Sequence, residues 1–272
     1  MTVTISSAAN PLVKRVRLLA DRKHRRREGA FVVEGPQPVW RAVEAGWEIE
    51  SIIIAPTLLT GASAQRMVEE QERSGVPVAR LSADLFKRLV DRDGPSGLAA
   101  IVRSRTGGLS DLAVHPGAVF VALDRISNPG NLGTIIRTVD AVGGAGVILI
   151  GDTVDAFSPA AVKASMGSVF AVDVVHTPEP DAFFSWASER GVTVLATSGT
   201  ADADHWDAAY EPPLAFLFGS EREGLPDSML AGADSRLRIP MVGTAESLNV
   251  GVAAAIMLYE ARRHTVRKAA PA

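Results

Sequence analysis

Three short stretches concentrate the side chains that can do chemistry. Asn131 and Arg137 stand in "DRISNPGNLGTIIRT", Ser220 to Glu223 in "LAFLFGSEREGL", and Ser247 and Asn249 in "RIPMVGTAESLNVGVAAAIMLYEA". Amide, hydroxyl, carboxylate and guanidinium groups together can orient a neutral nucleophile, hold an anion and stabilise developing charge. The chain has no cysteine, so a thiolate nucleophile, a thiolate zinc site and a disulfide framework are all excluded. The five histidines show no H-x-x-x-H or other ligand spacing and read as scattered surface residues, and neither a G-x-S-x-G elbow nor a P-loop occurs. No metal is expected.

The first stretch also imitates a nucleotide loop. Gly130 and Gly133 form G-x-x-G after an apolar strand, and Asp152 follows 22 residues past Gly130, where a ribose-binding acid would stand. Against that reading, Asn128, Pro129 and Asn131 crowd positions where a pyrophosphate needs bare backbone. Arg137 lies six residues after Asn131, about 240° around a helix, so the two share a face only if Asn131 precedes the helix. Spacing alone favours an i,i+3 pair between Arg137 and Asp140.

These stretches must be held by an alternating frame. Strands are predicted at 118–123, 146–150, 171–175, 192–196, 214–218 and 236–239. Helices are predicted at 131–142, 158–166, 179–190, near 226–231 and, longest, at 246–264. "AVFVAL", "GVILI", "VTVLA" and "LAFLF" are continuous apolar runs, as expected of strands buried on both faces of a mostly parallel sheet. Ligands bind beyond the carboxyl ends of such strands. The three polar loops lie at that edge, together with "ATSGT", where Thr197, Ser198 and Gly199 can meet a small molecule.

Upstream, elements of similar spacing predict a small α/β domain: a helix at 10–20, "FVVEG", a helix opened by Pro36 or Pro38, "IESIIIAP", a helix at 62–74, "VPVAR", "SADLFKRLVD" and "GLAAIVR". "SRTGGLSDLAVHPG" is the best linker. The expected division is 1–105, a linker at 106–117, and 118–272. Net charge is only −3, yet Pro11 to Arg27 holds eight cations against one acid, Asp21. That run reads either as a solvated helix face plus loop or as a grip on nucleic-acid phosphates. The N-terminus lacks the apolar core of a secretion signal, and no 18-residue apolar run occurs, so a cytoplasmic protein without membrane attachment is expected.

Taken in order and at this spacing, "DRISNPGNLGTIIRT", "FGSEREGL" and "IPMVGTAESLNVGVAAAIMLYEA" resemble the three motifs of the SpoU (TrmH-type) RNA ribose 2′-O-methyltransferases of the SPOUT class. The region around "KHRRREGAFVVEG" looks like the ribosomal-protein-like substrate-binding domain that many rRNA-modifying members carry. The resemblance implies an α/β trefoil-knot methyltransferase domain, S-adenosylmethionine as cofactor, and a homodimer. It implies a polar catalytic set of Asn131, Arg137, Glu221, Ser247 and Asn249. It also implies a cofactor pocket from Thr197, Ser198, Gly199, Phe218, Gly219, Ile239, Met241 and Leu248. RNA phosphates would be held by Lys23, Arg25, Arg26 and Arg27, with rRNA, 23S first, favoured over tRNA. Two alternatives stay open at this point: an NAD-dependent oxidoreductase built on Gly130, Gly133 and Asp152, and a catalytically silent RNA-binding assembly factor.

Overall fold

A computed structural model describes residues 4–90 and 96–269. In chain order the first run is β1 (Thr4–Ile5), α1 (Pro11–Leu18), α2 (Arg22–Glu28), β2 (Ala30–Glu34), α3 (Pro36–Glu44), β3 (Ile49–Ile54), α4 (Ala62–Arg73), β4 (Val78–Leu81), α5 (Ala83–Lys87) and β5 (Leu98–Arg103). The second is β6 (Val119–Asp124), α6 (Pro129–Val142), β7 (Gly146–Ile150), α7 (Pro159–Ser165), β8 (Val174–Thr177), α8 (Pro180–Arg190), β9 (Thr193–Thr197), β10 (Ala203–Asp204), β11 (Leu214–Phe218), α9 (Asp227–Gly232), β12 (Ser235–Arg238) and α10 (Val250–Ala269). Two compact units result, Met1–Arg105 with Phe157–Ala171, and Thr106–Ala156 with Val172–Ala272.

The first unit holds a five-stranded sheet in the order β1-β4-β3-β5-β2, parallel from β1 to β3 and antiparallel on both sides of β5. Val13, Val16 and Leu19 of the α1 region bury against Ile53, Leu85, Phe86 and Ile101. The basic run is helical beyond α1, not a loop. The Asp21 carboxylate accepts the Lys23 N–H at 2.7 Å to open α2, and Gly29 closes it at φ 61°. The helix expected from Ser82 is five residues long, and Asp91 lies outside the described residues.

Phe157–Ala171 follows β7 in the chain but completes the apolar packing of this first unit. Phe157 stacks on Phe31 with ring centroids 4.6 Å apart, Phe170 meets Trp47 edge-on at 5.2 Å, and the Trp47 indole N–H donates to the Phe170 carbonyl at 3.1 Å.

The second unit holds seven strands in the order β10-β12-β9-β11-β6-β7-β8, all parallel. The apolar runs are buried on both faces, as their composition predicts. Phe120, Ala122, Ile148, Ile150, Ala215 and Leu217 share a core with Phe183, Trp186 and Ala187 of α8. Long helix α10 packs on α6 and β11. Because β12, β9, β11 and β6 are consecutive neighbours and run the same way, the segments after them emerge along one sheet edge.

Candidate active site

Three local signals shape the first motif: Asn128, Pro129 and the apolar period that follows. Asn128 caps α6, its side-chain oxygen accepting the N–H groups of Gly130 at 2.8 Å and Asn131 at 3.2 Å, while Pro129 fills the first helical position. Gly130, Asn131 and Gly133 are therefore all inside the helix, which starts two residues before the predicted 131. Asn131 and Arg137, six residues apart on one helix, do not share a face.

The second motif forms a tight hairpin after β11. Ser220 and Gly224 exchange backbone hydrogen bonds of 3.2 and 3.0 Å, and Gly224 takes φ 67°. A Cβ at Gly219 would lie 2.0 Å from the Gly224 carbonyl carbon, so only glycine permits this closure. The hairpin presents Glu221. Its Oε1 accepts the Asn128 N–H at 3.2 Å and the Asn131 Nδ2–H at 3.1 Å; its Oε2 accepts the Ser127 N–H at 3.2 Å and hydroxyl at 3.1 Å. A carboxylate has about four acceptor positions. All are taken. Desolvation pushes the Glu221 pKa up, but hydrogen bonds from its own backbone, Asn131, Ser127 and Asn128 outweigh this and hold it below the ordinary carboxylate value.

The third motif joins the same chain of contacts. Asn249 donates from Nδ2 to Asn131 Oδ1 at 3.0 Å, and its own Oδ1 caps α10 by accepting the N–H groups of Gly251 at 2.9 Å and Val252 at 3.4 Å. The helix expected from residue 246 thus starts only at Val250, because Asn249 serves as its cap. Thr134 Cγ2 would lie 3.4 Å from a Cβ at Gly251, which marks how closely α10 passes α6. Glu221, Asn131 and Asn249 form one continuous hydrogen-bonded line across three motifs.

Arg137 and Ser247 do not join that line. Arg137 is exposed on α6, and among the described residues it has no ion-pair or hydrogen-bond partner; the pair with Asp140 that spacing favours is not formed. Ser247 is exposed in the segment before α10. Of the residues expected at the cofactor, Phe218 is buried at the end of β11, and Thr197 donates its hydroxyl to the Leu217 carbonyl at 3.1 Å. Ser198 donates its backbone N–H to the Leu237 carbonyl, tying the ends of β9 and β12 together. Nothing lies within 4 Å of the place a Cβ would occupy at Gly199. Ile239 is half-buried, and Met241 and Leu248 are exposed by 39% and 36%.

These features fit an adenosyl group. Backbone from three adjacent strand ends can meet the uncharged polar edge of a base, open space adjoins Gly199, and the apolar Met241 and Leu248 side chains are free to cover a ring. Sequence reasoning missed Ser127 and Asn128, whose backbone groups hold Glu221; the signal for Asn128 was its position before a proline and a helix.

In the first unit, Lys23, Arg26 and Arg27 are exposed, as are Lys14 and Arg17. Arg25 is not. It is 5% exposed, and its guanidinium donates to the carbonyls of Leu19 at 3.0 Å and Ala20 at 2.7 Å, so it closes the end of the α1 region and is unavailable for phosphate. His205 is likewise buried, against the expectation that every histidine is at the surface. Among the described residues, no group of three or more His, Asp or Glu could hold a metal ion, and no helix is long and apolar enough to cross a membrane. Asp152 is exposed just beyond β7.

Comparison with known proteins agrees with this geometry. Residues 118–259 match the SpoU rRNA Methylase family and residues 10–100 the MRM3-like substrate binding domain. A 23S rRNA (uridine(2479)-2′-O)-methyltransferase of Streptomyces viridochromogenes is 31% identical over 92% of this chain and 88% of its own length. A 23S rRNA (guanosine(2553)-2′-O)-methyltransferase of Bacillus subtilis is 29% identical over 95% and 98%. The crystal structure of an AdoMet-bound rRNA methyltransferase from Sinorhizobium meliloti superposes with a TM-score of 0.89 at 36% identity, covering 97% of this chain and 98% of that one. The chain belongs to the SpoU family of S-adenosylmethionine-dependent RNA methyltransferases.

Proposed function

We propose that this protein methylates a ribose 2′-hydroxyl of ribosomal RNA, in the large-subunit 23S molecule, using the Glu221–Asn131–Asn249 line as its scaffold and Arg137 as its free charged group. The line is the observation that carries the reading: it joins all three motif loops at the one sheet edge where a parallel sheet binds ligands. An NAD-dependent oxidoreductase would need a glycine turn before its helix, whereas Gly130 and Gly133 are helical and Glu221 crowds the first turn of α6.

When bound, S-adenosylmethionine supplies a methyl group on a sulfonium, ready for in-line displacement. Thr197, Ser198, Gly199, Phe218, Gly219, Ile239, Met241 and Leu248 would hold it. Glu221 is a positioning residue. With four donors on its two oxygens it has no acceptor left for a substrate proton, and its lowered pKa makes it a poor base. What it does is fix the amide of Asn131, whose Oδ1 in turn fixes Asn249. Arg137 has a different task. A guanidinium stays charged, so it would stabilise the alkoxide that develops on the ribose oxygen and hold the neighbouring phosphate, while the hydroxyl proton passes to solvent water. Ser247, in the exposed segment before α10, would contact the nucleotide.

The division into an RNA-holding part at 1–105, a linker at 106–117 and a knotted catalytic part at 118–272 belongs to this proposal, as does the cytoplasm as the place of action. RNA phosphates would be gripped by Lys23, Arg26 and Arg27. Homodimer formation would cover the exposed apolar face of the third motif and α10, where Val242, Val252, Tyr259 and Val266 stand free. The relatives modify uridine in one case and guanosine in the other, so the base is set by the surroundings of the site. Calorimetry with S-adenosylmethionine and with NAD tests the cofactor, and transfer of a labelled methyl to rRNA tests the reaction. Binding of NAD in preference to S-adenosylmethionine, or no transfer to any RNA, would overturn the proposal.

A further inference from the structure

Arg125 is one of two non-glycine residues with positive φ among those described, at 47°. Such a conformation is uncommon for a long side chain and persists where the surroundings hold it. It occurs at the first position after β6, between the sheet and the first motif. The backbone N–H of Arg125 donates to the Ile150 carbonyl at 3.0 Å, anchoring it to the end of β7. A Cβ at Gly151, itself at φ 73°, would lie 3.3 Å from Arg125 Cγ, so the stem lies close over that glycine.

Held this way, the guanidinium reaches two carboxylates. Nε donates to Asp124 Oδ2 at 3.0 Å, and one terminal nitrogen donates to Glu223 Oε2 at 3.3 Å. The Asp124 side chain is 4% exposed, so loss of the guanidinium would leave a buried charge uncompensated. Glu223 is largely exposed and belongs to the same hairpin as Glu221. Two tethers therefore run from that hairpin to the segment after β6: Glu221 to Ser127, Asn128 and Asn131, and Glu223 to Arg125.

We infer that Arg125 is a positioning residue for methyl transfer, locking the 219–225 hairpin to the end of β6 so that Glu221 meets the first turn of α6 in register. This rests on the reading of the site as a 2′-O-methyltransferase. The left-handed backbone is what turns the side chain back across the sheet edge. A glycine at 125 would accept that backbone without strain but could not make the tether.

Full-length R125A, R125G and R125K separate conformation from charge. In R125A and R125G, kcat for transfer to rRNA should fall about tenfold while KM for RNA stays within about threefold of wild type. R125K, which restores one positive charge, should recover a large part of that loss. Independently of activity, hydrogen exchange at the Ser127 and Asn128 amides should speed up about tenfold in R125G. Wild-type kcat in R125G, no recovery in R125K, or unchanged exchange at those two amides would each overturn the inference. If the wild-type protein transfers no methyl group, the functional reading fails while the exchange measurement still decides the role of Arg125.

Discussion

Around α1 and α2, several cations are engaged by groups of their own fold. Arg15 bonds Glu28 at 2.7 Å and Glu50 at 2.6 Å, Arg103 shares Glu50 at 3.0 Å, and Arg25 turns inward to backbone carbonyls. At the carboxyl edge of the seven-stranded sheet the reverse holds. There a single carboxylate, Glu221, gathers four donors, and Arg137, on the helix that carries Asn131, is left with no partner among the described residues. A charge run on a helix overstates what is free for a ligand, because its own fold uses some of it. Separated polar residues after parallel strands understate what is available, because topology brings them together. The first region should fail by degrees when altered, and the second should fail as a unit.

The largest effect is expected at the free group. Arg137→Ala should reduce methyl transfer to rRNA by about 10²–10³-fold, the range for losing one group that stabilises transition-state charge, with thermal unfolding unchanged. Asn131→Ala breaks the shared line and should cost about 10–100-fold in kcat, while calorimetry shows S-adenosylmethionine affinity close to wild type. If Asn131→Ala and Asn249→Ala are combined, the loss should be far smaller than the product of the two, because both cut one line. Simple additivity would mean that Asn131 and Asn249 act separately.

The basic helix is tested by two neighbouring arginines. Arg25→Ala should destabilise the fold by about 1.5–3 kcal/mol, the range for hydrogen bonds from a charged group, as read by denaturant unfolding. Arg26→Ala should leave stability within about 0.5 kcal/mol, weaken RNA binding, and reduce the slope of log affinity against log salt by about one. An exchange of these two outcomes would mean that burial does not separate structural from ligand-facing cations here. The smallest effect concerns α10, where Arg263 and His264 bind the Glu260 carboxylate and lower its pKa from 4.5 to about 2. A depressed carboxyl contributes stability above its unfolded pKa and loses it as pH falls through the folded value. Glu260→Gln should therefore flatten acid destabilisation between about pH 4.5 and 2.

Much of the sheet was legible because each strand is a separate signal. "GVILI" and "LAFLF" are observed as β7 and β11 at the predicted residues, since apolar runs of that length leave few other arrangements. Strands β1 and β10, two residues each, carry no such signal. The helix at 22–28 was readable from Asp21 and Gly29, its cap and stop, but the charge run drew attention to loop and surface instead. At the site, the residue types were legible and their contacts were not. Glu221 meets Asn131 across 90 positions and Asn249 meets Asn131 across 118, distances over which no periodicity speaks. The start of α10 at Val250 follows from Asn249, a cap indistinguishable in sequence from the polar positions before it. The aromatic stack of Phe31, Trp47, Phe157 and Phe170 joins residues 16 to 139 positions apart and was invisible for the same reason.

We propose that Arg137, exposed on the helix that carries Asn131, stabilises the ribose oxygen during methyl transfer from S-adenosylmethionine to rRNA. Mapping of 2′-O-methyl groups in 23S rRNA from cells producing the wild-type protein, the Arg137→Ala variant or neither tests it directly. The account predicts one ribose position methylated only with the wild-type protein. Identical methylation in all three, or full methylation with Arg137→Ala, would contradict it.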